Sequence, residues 1–172
     1  MDDRRDRADV LTPEQRTKLM RAIGQRNTRP EMAVRKALCA AGLRYRLVVD
    51  GLPCRPDLAF PRRRVAVFVH GCFWHGHGCH LFRWPRSNAR FWSEKIGRNR
   101  QRDASLERAI LEAGWRLLTI WECSLRGPTR MSAQELATVV RRFLSSAEPL
   151  ALQIPALGAD QPAGESWENS AS

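Results

Sequence analysis

The run from Arg64 to His70, Arg-Val-Ala-Val-Phe-Val-His, restricts the fold more than any other part of this 172-residue chain. It is nearly all apolar and rich in β-branched residues, the pattern of a central strand covered on both faces. Trp115 to Glu122, with Arg-Leu-Leu-Thr-Ile-Trp at its centre, has the same character. Strands buried on both faces need helices on both sides of the sheet.

The sequence supplies such helices. Thr12-Pro13-Glu14-Gln15 reads as a capped helix start, with Pro at the first helical position and a stop at Gly24. Thr28-Arg29-Pro30-Glu31 repeats the signal ahead of Met32, Val34, Leu38 and Cys39, and that helix should end at Gly42. Short strands are expected at Tyr45–Val49 and Asp57–Phe60, a long basic helix from Phe91 to about Ala113, and a last helix from Met131 to Leu144, capped by Ser132 with Glu135 three residues on. The fold class is therefore α/β, with a mixed central sheet flanked by helices. Residues 1–11 read as a flexible charged arm and 12–146 as one folded domain. Residues 147–172, rich in Pro, Ala, Gly, Ser and Glu, read as a mostly disordered tail.

The chain carries 29 Lys and Arg against 18 Asp and Glu, a net charge of +11. That balance favours a polyanion as partner, because each phosphate contact releases counterions. No apolar run is long enough to span a bilayer, and Met1 to Asp9 lacks the apolar core of a signal peptide. A cytoplasmic, nucleic-acid-binding protein without a membrane partner is expected.

Five cysteines in such a chain argue against a disulfide framework. Cys72, His75, His77, Cys79 and His80 fall within nine residues of a Gly-rich loop, and Cys123 follows at the end of the next strand. Cys72, His77 and Cys79 can wrap a Zn²⁺ from one loop, with Cys123 closing the tetrahedron. Cys39, on a helix face, and Cys54, in a turn, read as ordinary thiols.

Arg55-Pro56-Asp57 opens one strand and the next ends at His70, the outline of a restriction-type nuclease site in which an Asp binds Mg²⁺. The second strand of such sites usually carries Glu-x-Lys. Here it carries Phe68-Val69-His70, so Mg²⁺ would lean on Asp57 and the Val69 carbonyl, and a histidine would activate the water.

Arg55-Pro56-Asp57, Val67-Phe68-Val69-His70-Gly71-Cys72-Phe73-Trp74-His75, Cys79, Phe91-Trp92-Ser93-Glu94-Lys95-Ile96-Gly97-Arg98-Asn99, Gly114-Trp115-Arg116 and Trp121-Glu122-Cys123 together resemble the very-short-patch repair (Vsr) endonucleases. The resemblance runs from about Lys18 to about Leu144. It implies a restriction-endonuclease-like fold with a structural zinc at Cys72, His77, Cys79 and Cys123, and Mg²⁺ at Asp57 and the Val69 carbonyl. It implies nicking 5′ of the thymine in T:G mismatches left by deamination of 5-methylcytosine. His75 would be the general base, Asp103 would orient it, His70 would lie near the scissile phosphate, and Glu31 matches an acid near the site. A bacterial, nucleoid-associated monomer working beside mismatch repair proteins is expected. Val69 stands where well-known members carry Thr, which a backbone ligand tolerates, and Gly76 and Gly78 thin the histidine run without touching the ligand positions.

Phe73, Trp74 and Trp92 are candidate wedges between base steps, as is Met20 from the first helix. Packing over the zinc loop, or in the core for Met20, is the plainer reading. Lys95, Arg98, Asn99, Arg100 and Arg102 share one helix and could track phosphates. By resemblance, Lys95 and Asn99 would reach the mismatched pair, while Lys18, Arg21, Arg26 and Arg29 could clamp the other side. Trp115 and Trp121 read as structural. Two alternatives remain open: a zinc-stabilised DNA-binding module without catalysis, and a nuclease with another duplex target.

Overall fold

The computed structural model describes residues 27–85 and 87–155. The expected first helix, and with it Lys18, Met20, Arg21 and Arg26, lies outside them, as does the end of the tail. Helix α1 spans Arg29–Ala40, β1 Leu58–Phe60, β2 Val65–His70, α2 Ala89–Glu112, β3 Arg116–Trp121, α3 Ala133–Ser145 and β4 Ala151–Ile154. The capping signals act as the sequence foretells. The Thr28 side chain accepts from the Glu31 amide, and Ser132 and Glu135 form a reciprocal capping box.

The four strands lie in the order β1-β2-β3-β4. β1 pairs antiparallel with β2, and β2–β3 and β3–β4 are parallel, so the sheet is mixed as expected. Alternation sends Val65, Val67, Val69, Leu118 and Ile120 to one face, where Val34 and Leu38 of α1 and Leu136, Val140 and Phe143 of α3 bury them. The opposite face, bearing Ala66 and Leu117, is covered by α2 through Ile110. No helix among the described residues is long and apolar enough to cross a membrane.

Two expectations need correction. Tyr45–Val49 is no strand: only Arg46 makes a bridge, to Ala59, and Leu47 and Val48 are exposed. With no apolar surface to cover these side chains, pairing stops after one residue. Ala151–Ile154, placed in the disordered tail from composition, is instead the fourth strand. Leu152 and Ile154 join the main core, while Gln153 faces the other way. Its period-two pattern is hidden by the Pro- and Ala-rich flanks.

Candidate metal cluster and nuclease site

β2 and β3 run parallel with His70 opposite Trp121, so the chain leaves both strands at the same end of the sheet. There the loop after β2 brings Cys72, His77 and Cys79 to Cys123 in the turn after β3, with one ligand atom of each within 4.8 Å of the others. The Nδ1 of His77 lies 3.6 Å from the Sγ of Cys123. A tetrahedron with Zn–S near 2.3 Å and Zn–N near 2.1 Å has such an edge of about 3.6 Å. The Cys123 amide donates to the Cys72 sulfur at 3.3 Å, the bond a thiolate ligand would accept. Without a cation these groups are ill at ease. Burial, with the neighbouring thiols, pushes Cys72 far up and Cys123 to about 11. The set fits a closed site for a metal such as zinc. We expect about one zinc per chain by elemental analysis, and Cys123→Ser should lose it and expose the loop to protease. A zinc-free wild type with the same protease resistance would contradict this role.

The loop is seated on α2. The Arg100 guanidinium donates to the His75 carbonyl at 3.1 Å and to the Gly76 carbonyl, and the Asn99 amide donates to the Trp74 carbonyl at 2.7 Å. Gly76 has φ +60°, and a Cβ there would lie 2.7 Å from Ile96, so the close approach of loop and helix requires glycine. The sequence marks both anchors only as candidates for DNA contact.

The same loop presents His75. Its Nδ1 bonds the Asp103 carboxylate, about one turn along α2 from Asn99, and its ring stacks on His70 at 4.0 Å and 6°. Burial, and then the neighbouring His75, lowers His70 to about 3, so it stays neutral. Burial alone would raise Asp103, but the His75 bond and nearby positive charges outweigh it and hold Asp103 below the usual carboxylate range. His70, His75 and Asp103 could converge on an ion by distance. However, two parallel stacked imidazoles cannot both aim an in-plane lone pair at one cation. The arrangement suits proton transfer at the free Nε2 of His75.

Trp121 is the platform for both sites. It stacks on His77 at 4.1 Å and 12°, meets His70 and His75 edge-on, and donates through Nε1 to the Gln153 side chain at 2.8 Å. Gln153 was invisible in the sequence because its strand was. An open cleft of about 1310 Å³ lies beside the histidines, with Phe68, Thr119 and Gln153 at its floor and Asp103, Glu107 and Trp84 on its walls.

Asp57 stands just before β1, where β1 no longer covers β2. Its Oδ2 accepts the Val69 amide at 2.7 Å. The Asp57 amide donates to the Val67 carbonyl, so the Val69 carbonyl, two residues on, turns to the same side, beside the Asp57 carboxylate. Burial raises Asp57 to about 6, and the Glu31 charge adds to the rise. A carboxylate whose charge burial disfavours, beside a backbone carbonyl oxygen, fits a dication such as Mg²⁺. Glu31 is buried and spoken for: it accepts from the Asn27 amide, the Thr28 hydroxyl and Arg35. Arg35, overlooked in the sequence although it is four residues from Glu31, also donates to the Asp57 carbonyl at 3.2 Å.

The aromatic candidates form one cluster. Phe73 meets Trp74 and Trp92 edge-on, and Lys95 lies over the rings of Trp74, Trp92 and Phe91. Trp92 is buried, whereas Phe73 and Trp74 are half-buried. In the free protein they pack over the metal loop.

A mixed sheet whose strand ends gather a buried carboxylate, a His–Asp pair and a Cys₃His cluster that could hold a metal defines an α/β protein with a candidate hydrolytic site. The family model for the DNA mismatch endonuclease Vsr matches residues 8–81. The type II nicking enzyme V.XorIIP of Xanthomonas oryzae is 50% identical over 117 residues, spanning 68% of this chain and 86% of that protein. The DNA mismatch endonuclease Vsr of Escherichia coli is 40% identical over 137 residues, spanning 80% and 88%. A type II nicking enzyme of Neisseria meningitidis, V.NmeAIP, is 38% identical over 118 residues, spanning 69% and 84%. The chain belongs to the Vsr family of DNA mismatch endonucleases.

Proposed function

We propose that this protein is a Mg²⁺-dependent endonuclease that nicks duplex DNA 5′ of the thymine in T:G mismatches, with His75 as general base and a structural zinc at Cys72, His77, Cys79 and Cys123. The observation that carries the reading is the His75–Asp103 pair beside the Asp57 strand end. The relatives named as a mismatch endonuclease and as nicking enzymes support single-strand cleavage of DNA.

In this reading Asp103 holds the Nδ1 proton of His75 and leaves Nε2 free to take a proton from the attacking water. Neutral His70 stacks beneath that ring and keeps it from rotating without adding a second charge. Asp57 and the Val69 carbonyl hold Mg²⁺, which when bound would neutralise charge developing on the scissile phosphate. Phe73, Trp74 and Trp92, with Met20 from the other side, would enter the duplex at the mismatch, where stacking is weakest. Lys95 and Asn99 would meet the mismatched pair from the same helix, with Lys18 and Arg21 on the opposite flank. The protein would act in the bacterial cytoplasm, at the nucleoid, as a monomer alongside mismatch repair proteins.

The test is a nicking assay with Mg²⁺ on duplexes carrying T:G in varied flanking sequence. We expect one nick, in the thymine strand only. Equal cleavage of A:T controls would point to another duplex target, and tight binding with no cleavage in any context would point to a binding module.

A further inference from the structure

Four exposed arginines outside the site lie along the outer side of β1, the edge strand of the sheet. Arg46 bridges to Ala59, with both backbone bonds 2.8 Å long. Bridged residues share a face of the sheet, and Ala59 pairs with Ala66, which alternates with Phe68 and His70. Arg46 therefore projects from the same sheet face as His70, and Arg44 lies two residues earlier. The intervening Tyr45 packs into the core on the opposite face. Arg62 and Arg63 continue the line in the turn after β1. All four are exposed.

Many other arginines here are bound to the protein itself. Arg35, Arg90 and Arg126 pair with carboxylates, and Arg100, Arg116 and Arg141 cap carbonyls. Arg44, Arg46, Arg62 and Arg63 have no carboxylate partner among the described residues. Cations without carboxylate partners along one edge, with Arg46 on the face of the proposed chemistry, suit a ligand with repeated negative charge.

We propose that Arg44, Arg46, Arg62 and Arg63 form a track for the DNA backbone on one side of the nick. The track starts at Asp57 and ends at the β1–β2 turn. Three strand steps from Asp57 to Phe60 at about 3.3 Å and the three residues of the turn at about 2 Å each give about 16 Å. At 3.4 Å per base pair that is about five base pairs of duplex. The track reads no sequence and adds affinity only. It rests on the reading of this protein as a DNA nickase.

The test compares wild type with Arg46→Ala/Arg62→Ala/Arg63→Ala on duplexes that extend three or ten base pairs beyond the nick, shortened from one side at a time. The triple variant should bind the long duplex roughly tenfold or more weakly, and its salt slope should fall by about two to three, near 0.9 per lost phosphate contact. Wild type should lose similar affinity when the duplex is shortened on one side only, and the variant should be indifferent to that shortening. Single-turnover nicking at saturating enzyme should stay within about twofold. An unchanged salt slope, or an equal loss on short and long duplexes, would overturn the track while leaving the nickase reading intact. If wild type neither nicks nor prefers mismatched duplex, the nickase reading fails first. A variant that binds DNA as wild type does but no longer recruits an acidic partner protein would assign the edge to protein contact and also overturn the track.

Discussion

Asp57→Asn should abolish nicking and at the same time make the protein more stable. The loss of activity follows from removing the anionic ligand at the proposed Mg²⁺ site, which should cost about a thousandfold or more in single-turnover rate. Mismatch binding should survive, because Asp57 is not part of the aromatic cluster of Phe73, Trp74 and Trp92. The gain in stability follows from the raised carboxyl. Folding lifts Asp57 from the ordinary 3.8 to about 6, so the folded protein holds that proton more tightly than the unfolded chain. Stability from this group is fully present below 3.8 and is lost as pH rises through 6. At pH 8 the wild type carries the whole cost, on the order of 1–3 kcal/mol at about 1.4 kcal/mol per unit. Asn avoids the charge and can still accept the Val69 amide. In Mg²⁺-free buffer the variant should melt several degrees higher at pH 8 and level with wild type at pH 4. Added Mg²⁺ should close the gap by stabilising wild type alone. A variant that nicks within tenfold of wild type, or melts lower at pH 8, would remove Asp57 from this role.

Much of this was legible in the sequence, and the reasons differ by residue. The doubly buried strands β2 and β3 announce themselves by composition, and the caps at Thr28 and Ser132 by local chemistry that needs no tertiary contact. The Cys₃His set was legible because three of its members share one short loop, so only Cys123 had to be found at a distance. The His75–Asp103 contact is different. Twenty-eight residues separate the pair, and only the resemblance joined them. Periodicity could place Asp103 on a helix but not say which loop that helix would carry. β4 was missed because a four-residue edge strand among Pro and Ala has almost no signal of its own. Its pairing is decided by the exposed edge of β3, which the sequence does not display. Gln153 was lost with it, and so was the bond that fixes Trp121 under the histidines. Arg46 shows the opposite failure. Its neighbourhood was read as a strand, whereas one bridge suffices to set which face the arginine takes.

The His75–Asp103 pair should behave as one unit. His75→Ala is expected to slow nicking by about 10²–10⁴-fold, the usual span for a general base. Asp103→Asn should cost a large part of that, because an amide at Nδ1 no longer fixes the tautomer that leaves Nε2 free. If the two act together, the double variant should be no slower than His75→Ala alone, whereas independent contributions would multiply. The pH profile separates this pair from Asp57. Asp103 is held below the usual carboxylate range, so it stays ionised where rates can be measured and adds nothing to the acid limb. That limb then reports the protonation of Asp57 near 6. Mg²⁺ competes with that proton, so raising Mg²⁺ should move the limb to lower pH. In His75→Ala the slow residual rate should keep the limb and its Mg²⁺ dependence, because losing the base lowers the rate without removing the Asp57 carboxyl. An acid limb that stays in place as Mg²⁺ rises would mean that Asp57 does not hold the metal, and a wild-type rate in His75→Ala would mean that the proton is taken elsewhere.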